Sequence, residues 1–177
     1  PGVDGVVAVT HKAGCAMQYG GPDHLQLDRT LAGFARHANV AAYVIIGLGC
    51  ETGQAAHLIE GEGLIELGSG GRKPPMVLNI QDLGGIARTV EAGTEAIIKL
   101  LPEAAKHRRS TIGADKLILA TNCGGSDGNS GVTANPALGV ASDLLVAQGG
   151  TTVLAETTEI YGAEHLLTRR AITPAVG

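Results

Sequence analysis

Cys15, Cys50 and Cys123 carry the sharpest chemical signal in this chain. Each lies shortly after an apolar run of strand length, at residues 3–9, 40–46 and 117–120. No Cys-x-x-Cys pair occurs, which argues against a structural zinc site and against a disulfide framework. Three thiolates can hold iron, zinc or an iron–sulfur cluster and leave one coordination position open for substrate. The plain alternative is three cysteines packed as small hydrophobes. His11, four residues before Cys15, is a candidate ligand or general base. Glu156 follows another apolar run, at residues 151–155, and His165 stands nine residues beyond it, where it could orient a ligand or carboxylate.

The longest polar stretch between apolar segments is residues 122–136, Asn-Cys-Gly-Gly-Ser-Asp-Gly-Asn-Ser-Gly-Val-Thr-Ala-Asn-Pro. Its glycines permit close backbone approach to a ligand. Asn135 reads as a helix N-cap with Pro136 at the first helical position. A helix start of this kind offers free N–H groups and a partial positive charge to an anion. The loop is therefore expected to hold something small and negative. Two other motifs compete. Gly124-Gly-Ser126-Asp-Gly128 matches the G-x-S-x-G elbow of a serine hydrolase of the α/β-hydrolase type, with Glu156 and His165 following in order. An elbow turns directly into a helix, however, and here the helical pattern starts about ten residues later. Gly47-Leu-Gly49-Cys-Glu-Thr-Gly53 resembles a dinucleotide fingerprint, with one residue too many between its second and third glycines.

Alternating apolar strands and helical patterns must position these residues. Strands are expected at 3–9, 40–46, 76–80, 116–121 and 151–155. Helices are expected after Asp23, with Leu27, Leu31 and Phe34 on one face, and from Thr52 or Gly53 to Ile59. Others are expected after 80, with Ile86, Val90, Ile97 and Leu101 inward, from Asn135, and over 159–171. Such alternation predicts a single α/β domain over residues 1–177. Its centre would be a mostly parallel sheet of about five strands with helices on both faces, a Rossmann-like three-layer arrangement. Right-handed crossovers would bring the three cysteine loops and Glu156 to one sheet edge.

Composition bounds the function classes. The chain has 177 residues, 44% hydrophobic but only 2% aromatic, so its core must be aliphatic. The 27 glycines gather at segment ends, as strand-to-helix turns require. A net charge of −4, with no long basic run, argues against nucleic acid as a partner. No run approaches the ~18 apolar residues of a membrane span. No signal peptide is apparent, and unpaired cysteines suit a reducing, cytoplasmic setting. The abrupt start in an apolar run reads as a piece of a longer protein.

The residues at 122–139, Gly47-Leu-Gly-Cys50-Glu51, His11 with Gly14-Cys15, and 156–170 with His165-Leu-Leu-Thr-Arg-Arg together resemble the altronate/galactarate dehydratase family. The family includes a sulfolactate sulfo-lyase branch. The likeness runs over nearly the whole chain, departing at Ala16, where the family has glycine. It implies the central domain of a longer hydro-lyase that converts a sugar acid to a 2-keto-3-deoxy acid. Iron, as Fe2+ or an iron–sulfur cluster, would be the Lewis acid. Cys15, Cys50 and Cys123 would be metal ligands, and His11 and Glu156 catalytic. Ser126, Asp127, Ser130, Thr133 and Asn135 would bind substrate. The expected partners are a small sugar acid, the remaining domains of the same enzyme, and further copies in a homo-oligomer. The alternatives are a non-catalytic substrate- or metal-binding module and the serine hydrolase above.

Overall fold

The computed structural model describes residues 2–69, 71, 73–125 and 127–177. The chain divides into two compact units, Pro1–Arg108 and Arg109–Gly177.

In the first unit, helix α1 spans Pro22–Ala35, strand β1 Ile45–Gly47, helix α2 Ala55–Glu62, strand β2 Val77–Asn79 and helix α3 Ile86–Ala104. Pro22 opens α1 where a missing N–H costs nothing, and Asp23 places its charge at the positive end of the helix. Gly63 closes α2 in the left-handed conformation at φ 60°. β1 and β2 are parallel, with Ile45 opposite Val77 and Gly47 opposite Asn79. Ala32, Leu58 and Leu64 form the core, with Leu31, Ala35, Ile45 and Ile59 packed against them. The Tyr43 hydroxyl donates to the Ile65 carbonyl at 2.6 Å, pinning the segment after α2. Partial burial pushes that phenol's pKa up, outweighing the nearby Arg36 charge and the hydrogen bond, which lower it.

Helix α3 buries a different face from the one its large residues suggest. Thr89, Gly93 and Ala96 are buried, while Ile86 and Val90 are 72% and 62% exposed. Small side chains let the helix backbone approach the strands. A Cβ on Gly93 would lie 3.7 Å from Ile46 Cδ1 and 3.8 Å from Leu78 Cδ1.

His24 is the buried polar residue of α1, only 4% exposed. Neither ring nitrogen has a hydrogen-bond partner. Asp28 Oδ2 lies 3.4 Å from Nδ1, close enough for attraction but not aligned as a hydrogen bond. Tyr19 packs against both His24 and His57, with ring centroids 4.9 Å apart in each pair.

In the second unit a short 3-10 turn at Ala114–Lys116 leads into strand β3, Ile118–Thr121. Helix α4 spans Ala134–Ala147 and strand β4 Thr151–Leu154. A 3-10 turn at Thr157–Ile160 and helix α5, Glu164–Thr168, follow. β3 and β4 are parallel, Ile118 opposite Thr151 and Thr121 opposite Leu154. None of this unit's described residues is buried. A two-stranded sheet with one crossover helix has too little surface to enclose a core.

The expected five-stranded, Rossmann-like three-layer sheet is not formed. Among the described residues there are five α-helices and two separate two-stranded parallel sheets. Residues 3–9 are not a strand. Val6 and Val7 are 65% and 84% exposed, and an apolar run without a pairing neighbour cannot satisfy a strand's backbone groups. The run at 40–46 pairs only from Ile45 onward. The register would set Tyr43 opposite Pro75, and Pro74 and Pro75 have no N–H to extend the ladder. Cys50 and Cys123 therefore follow strands of different sheets, and Cys15 follows none, so the shared sheet edge expected for them is absent. No helix among the described residues is long and apolar enough to cross a membrane.

Two glycine substitutions should act with opposite sign. Gly93→Ala adds a methyl at ordinary contact distance and removes a helix-interior glycine, so it should stabilise by about 1 kcal/mol. Gly53→Ala would place Cβ 2.7 Å from the buried His24 Nε2 and should destabilise by about 1–3 kcal/mol. Equilibrium urea unfolding measures both. Destabilisation by Gly93→Ala would refute the packing described for α3.

Candidate functional site

In the first unit the Cys15 and Cys50 segments meet beyond the end of β1. The chain turns sharply at Gly47–Thr52, and one carboxylate holds that turn. Glu51 accepts hydrogen bonds from the Leu48 N–H at 3.0 Å and the Gly49 N–H at 2.5 Å. Gly47 makes room for it, since a Cβ there would meet Glu51 Oε1 at 2.6 Å and Asn79 Oδ1 at 2.9 Å. Cys50 sits at the exposed crest of the turn. Its Sγ accepts a hydrogen bond from Gln81 Nε2 at 2.9 Å. Thr52 then ties in the first loop. Its N–H and its hydroxyl both donate to the Cys15 carbonyl, at 2.9 and 3.2 Å. Two of the three cysteine segments are thus joined without any strand before Cys15.

A cleft of about 210 Å³ adjoins this turn, lined by Gly49, Glu51, Gln54, Ala55, Val77 and Asn79 among others. Asn79 Nδ2 donates to Asp82 Oδ2 at 2.8 Å, holding the polar end of β2 in place. His11 is exposed in the first loop, and its Nδ1 accepts from the Ala13 N–H at 3.3 Å. A neutral ring that accepts at Nδ1 carries its hydrogen on Nε2. To take up a proton, the ring must share or release the Nδ1 lone pair.

In the second unit Cys123 and Glu156 are brought together. The Cys123 N–H donates to Glu156 Oε2 at 2.7 Å. Glu156 itself has φ 59°, the one positive φ outside glycine among the described residues. A non-glycine residue held there stores strain, and such residues cluster at functional sites.

The loop before α4 is organised by its own polar groups. Asp127 Oδ1 accepts from the Asn129 N–H at 3.0 Å. The Ser130 hydroxyl donates to the Asp127 carbonyl at 2.7 Å, and the Thr133 hydroxyl to the Asn129 carbonyl at 2.9 Å. Both hydroxyl protons are committed, so these oxygens face a ligand as hydrogen-bond acceptors. Thr133, not Asn135, is the N-cap, and Asn135 and Pro136 lie inside the first turn of α4. The Asn135 N–H donates to the Ser130 carbonyl at 2.8 Å. The Ala137 N–H goes to Thr133, and Pro136 has none to offer. The helix start therefore exposes fewer N–H donors than its sequence suggests. Ser126 lies outside the described residues. His165, on α5, is exposed.

All three thiols are exposed and free of disulfides, and thiolates are soft ligands that iron accepts. An N–H donor on Cys50 Sγ is the kind of outer contact that orients a ligating sulfur. Among the described residues no group of three or more His, Cys, Asp or Glu is drawn together as a ready metal cage. Gln81 and Asn79 were not singled out from the sequence. Their signal was a polar cluster, Asn79, Gln81 and Asp82, just past the apolar run of β2.

Residues 1–105 match the family model for the second domain of D-galactarate dehydratase/altronate hydrolase. Residues 114–177 match that for the C-terminal part of D-galactarate/altronate dehydratase. The first match alone covers more than half of the chain, and the gap between the two contains the division between the units. The chain belongs to the galactarate/altronate dehydratase family. It is 39% identical to the altronate dehydratase of Bacillus subtilis (strain 168), across 98% of this chain and 33% of that protein. It is 38% identical to the L-threo-forming galactarate dehydratase of Escherichia coli (strain K12), across 84% of this chain and 29% of that protein. It is 33% identical to the (2R)-sulfolactate sulfo-lyase subunit beta of Chromohalobacter salexigens, across 95% of this chain and 40% of that protein. The chain thus spans about a third of the length of the relatives it matches.

The strain at Glu156 is open to measurement. Glu156→Ala and Glu156→Gly both lose the bond to Cys123, but only alanine keeps the cost of a positive φ. Glu156→Ala should therefore be less stable than Glu156→Gly by about 1 kcal/mol in urea unfolding. Equal stabilities would show that Glu156 is not strained.

Proposed function

We propose that this chain forms part of a hydro-lyase that dehydrates a sugar acid of the altronate or galactarate type to a 2-keto-3-deoxy acid. The observation that carries the reading is the match of both units to dehydratase domains. The reaction removes the proton on the carbon next to the carboxylate and the hydroxyl from the next carbon. The resulting enol gains a proton at the carbon that lost the hydroxyl, and the carbon next to the carboxylate becomes the ketone.

Iron is the proposed cofactor, with Cys15, Cys50 and Cys123 as its candidate ligands. When bound, it would supply Lewis acidity to the substrate's carboxylate and departing hydroxyl. The chain's own groups handle position and protons. His11 takes the proton from carbon through a ring nitrogen once the long contact to Ala13 yields. Glu156 keeps one carboxylate oxygen on the Cys123 N–H and has the other available to hold a proton. Ser130 and Thr133 accept hydrogen bonds from substrate hydroxyls, because their own protons are already committed. Asp127 and Asn135 hold the loop in shape, and Ser126 is proposed as a further substrate contact. The other domains of the same enzyme are the proposed partners, since the relatives are about three times as long. Three exposed free thiols support a reducing, cytoplasmic setting.

The test is turnover of altronate and galactarate by the full-length enzyme that contains this chain, with the keto-deoxy product identified by mass spectrometry. His11→Ala should lower kcat by about 10²–10⁴-fold. Each of Cys15→Ser, Cys50→Ser and Cys123→Ser should lower iron content in protein prepared without air. Absence of dehydration of either acid would reject the reading. Wild-type turnover by the isolated chain would reject the need for further domains, and binding without turnover in the full-length enzyme would favour a binding module.

A further inference from the structure

We infer that the cleft beyond the ends of β1 and β2 is the subsite for the hydroxylated carbon chain of the sugar acid, with Glu51 Oε1 and Asn79 Oδ1 as its hydrogen-bond acceptors. The inference deepens the dehydratase reading and rests on it. The cleft holds about 210 Å³. Pockets for drug-sized ligands start at roughly 300 Å³, so this one suits a fragment of a few carbons. β1 and β2 run parallel with Gly47 opposite Asn79, so both strands end on this side. Such strand ends are where ligands bind in open parallel sheets. Glu51 follows the first strand and Asn79 closes the second, and both line the cleft.

The two oxygens converge because Gly47 has no side chain. A Cβ there would lie 2.6 Å from Glu51 Oε1 and 2.9 Å from Asn79 Oδ1. Asp82 decides which way the Asn79 amide faces. A carboxylate only accepts, so it takes the nitrogen, with Nδ2 donating to Asp82 Oδ2 at 2.8 Å, and Oδ1 is left on the Glu51 side. Among the described residues nothing donates to Asn79 Oδ1. Glu51 Oε1 takes one N–H, that of Leu48, and keeps a second lone pair. Two acceptors against one point oppose a carboxylate and suit hydroxyls, which can donate to them. A hydroxyl also accepts, and Gln54 supplies a donor. Its side chain makes no cap at the start of α2, so the amide is unspent. Ile59 and Val77 add an aliphatic wall against which the C–H groups of a carbon chain pack.

The experiment uses the full-length enzyme that contains this chain, with altronate as the long acid and glycerate as the short one. Glycerate ends at the carbon that bears the leaving hydroxyl, so it has no chain to place in the cleft. Asn79→Ala removes one acceptor and should raise KM for altronate about three- to tenfold, the usual worth of one hydrogen bond, with kcat changed less. Gln54→Ala, at an exposed position, should raise it as well and serves if Asn79→Ala fails to fold. In both variants the inhibition constant of glycerate against altronate should rise by less than the altronate KM. An equal rise for the two acids would make these residues structural and overturn the inference. An unchanged altronate KM in both variants would also overturn it, with the dehydratase reading left standing. If the wild-type enzyme dehydrates neither altronate nor galactarate, that reading falls, and calorimetric binding of altronate then decides the cleft. Weaker binding by the variants supports the subsite, and binding equal to wild type refutes it.

Discussion

The Glu51 carboxylate is the constraint on which the first unit's candidate site depends. It turns back on the chain and satisfies two consecutive N–H groups, those of Leu48 and Gly49, that the end of β1 leaves unpaired. This is possible only because Gly47 has no side chain, for a methyl there would fall inside the carboxylate. Charge-assisted bonds to backbone N–H are stronger than neutral ones and hold a turn that would otherwise be soft. From that turn the Cys50 sulfur faces Gln81, and Thr52 faces the Cys15 carbonyl. Remove the clamp and three separate segments lose their common reference.

The two units solve a similar problem in a similar way. Each contains a short parallel pair joined through a helix, and each places a cysteine just after its first strand. Each then supplies a polar side chain from beyond its second strand to that cysteine residue. In the first unit the Gln81 amide meets the Cys50 sulfur. In the second the Glu156 carboxylate meets the Cys123 N–H. Parallel pairing makes this natural, because both strands deliver their C-terminal ends to the same side. The difference lies in support. The first unit has a buried aliphatic core, whereas the described residues of the second have none.

The Gly-rich loop before α4 shows how hydrogen-bond accounting changes a site. Its serine and threonine look like donors waiting for an anion. In the structure Ser130 and Thr133 spend their protons on carbonyls within the loop. The helix start likewise spends the Asn135 N–H on Ser130. The Ser130 and Thr133 oxygens are left as acceptors, better matched to hydroxyls than to a carboxylate. For the proposed sugar-acid substrate, which presents both, recognition of the charged end would fall to other groups.

The family was legible in the residues themselves. The motifs around Cys15, Cys50 and Cys123 identified the dehydratase family, because runs such as 122–139 are long and specific enough to be read without coordinates. Helix positions were also largely legible, since apolar spacing such as Leu27, Leu31 and Phe34 is a local signal. The sheet was not. An apolar run reports that a segment can be buried, but strand formation requires a partner at pairing distance. Residues 3–9 have none, and Pro74 and Pro75 cut short the ladder beside 40–46. The buried face of α3 was hidden for a related reason. Closeness of approach selected Thr89, Gly93 and Ala96 over the larger Ile86 and Val90. Gln81 likewise carries no signature of its own, for its contact with Cys50 exists only where the end of β2 lies beside the Cys50 turn. The sequence by itself determined the family, the reactive residue types and most helices, which depend on neighbours along the chain. Strand pairing, the packed face of α3 and the partners of each cysteine depend on neighbours across space, and only the tertiary structure decided them.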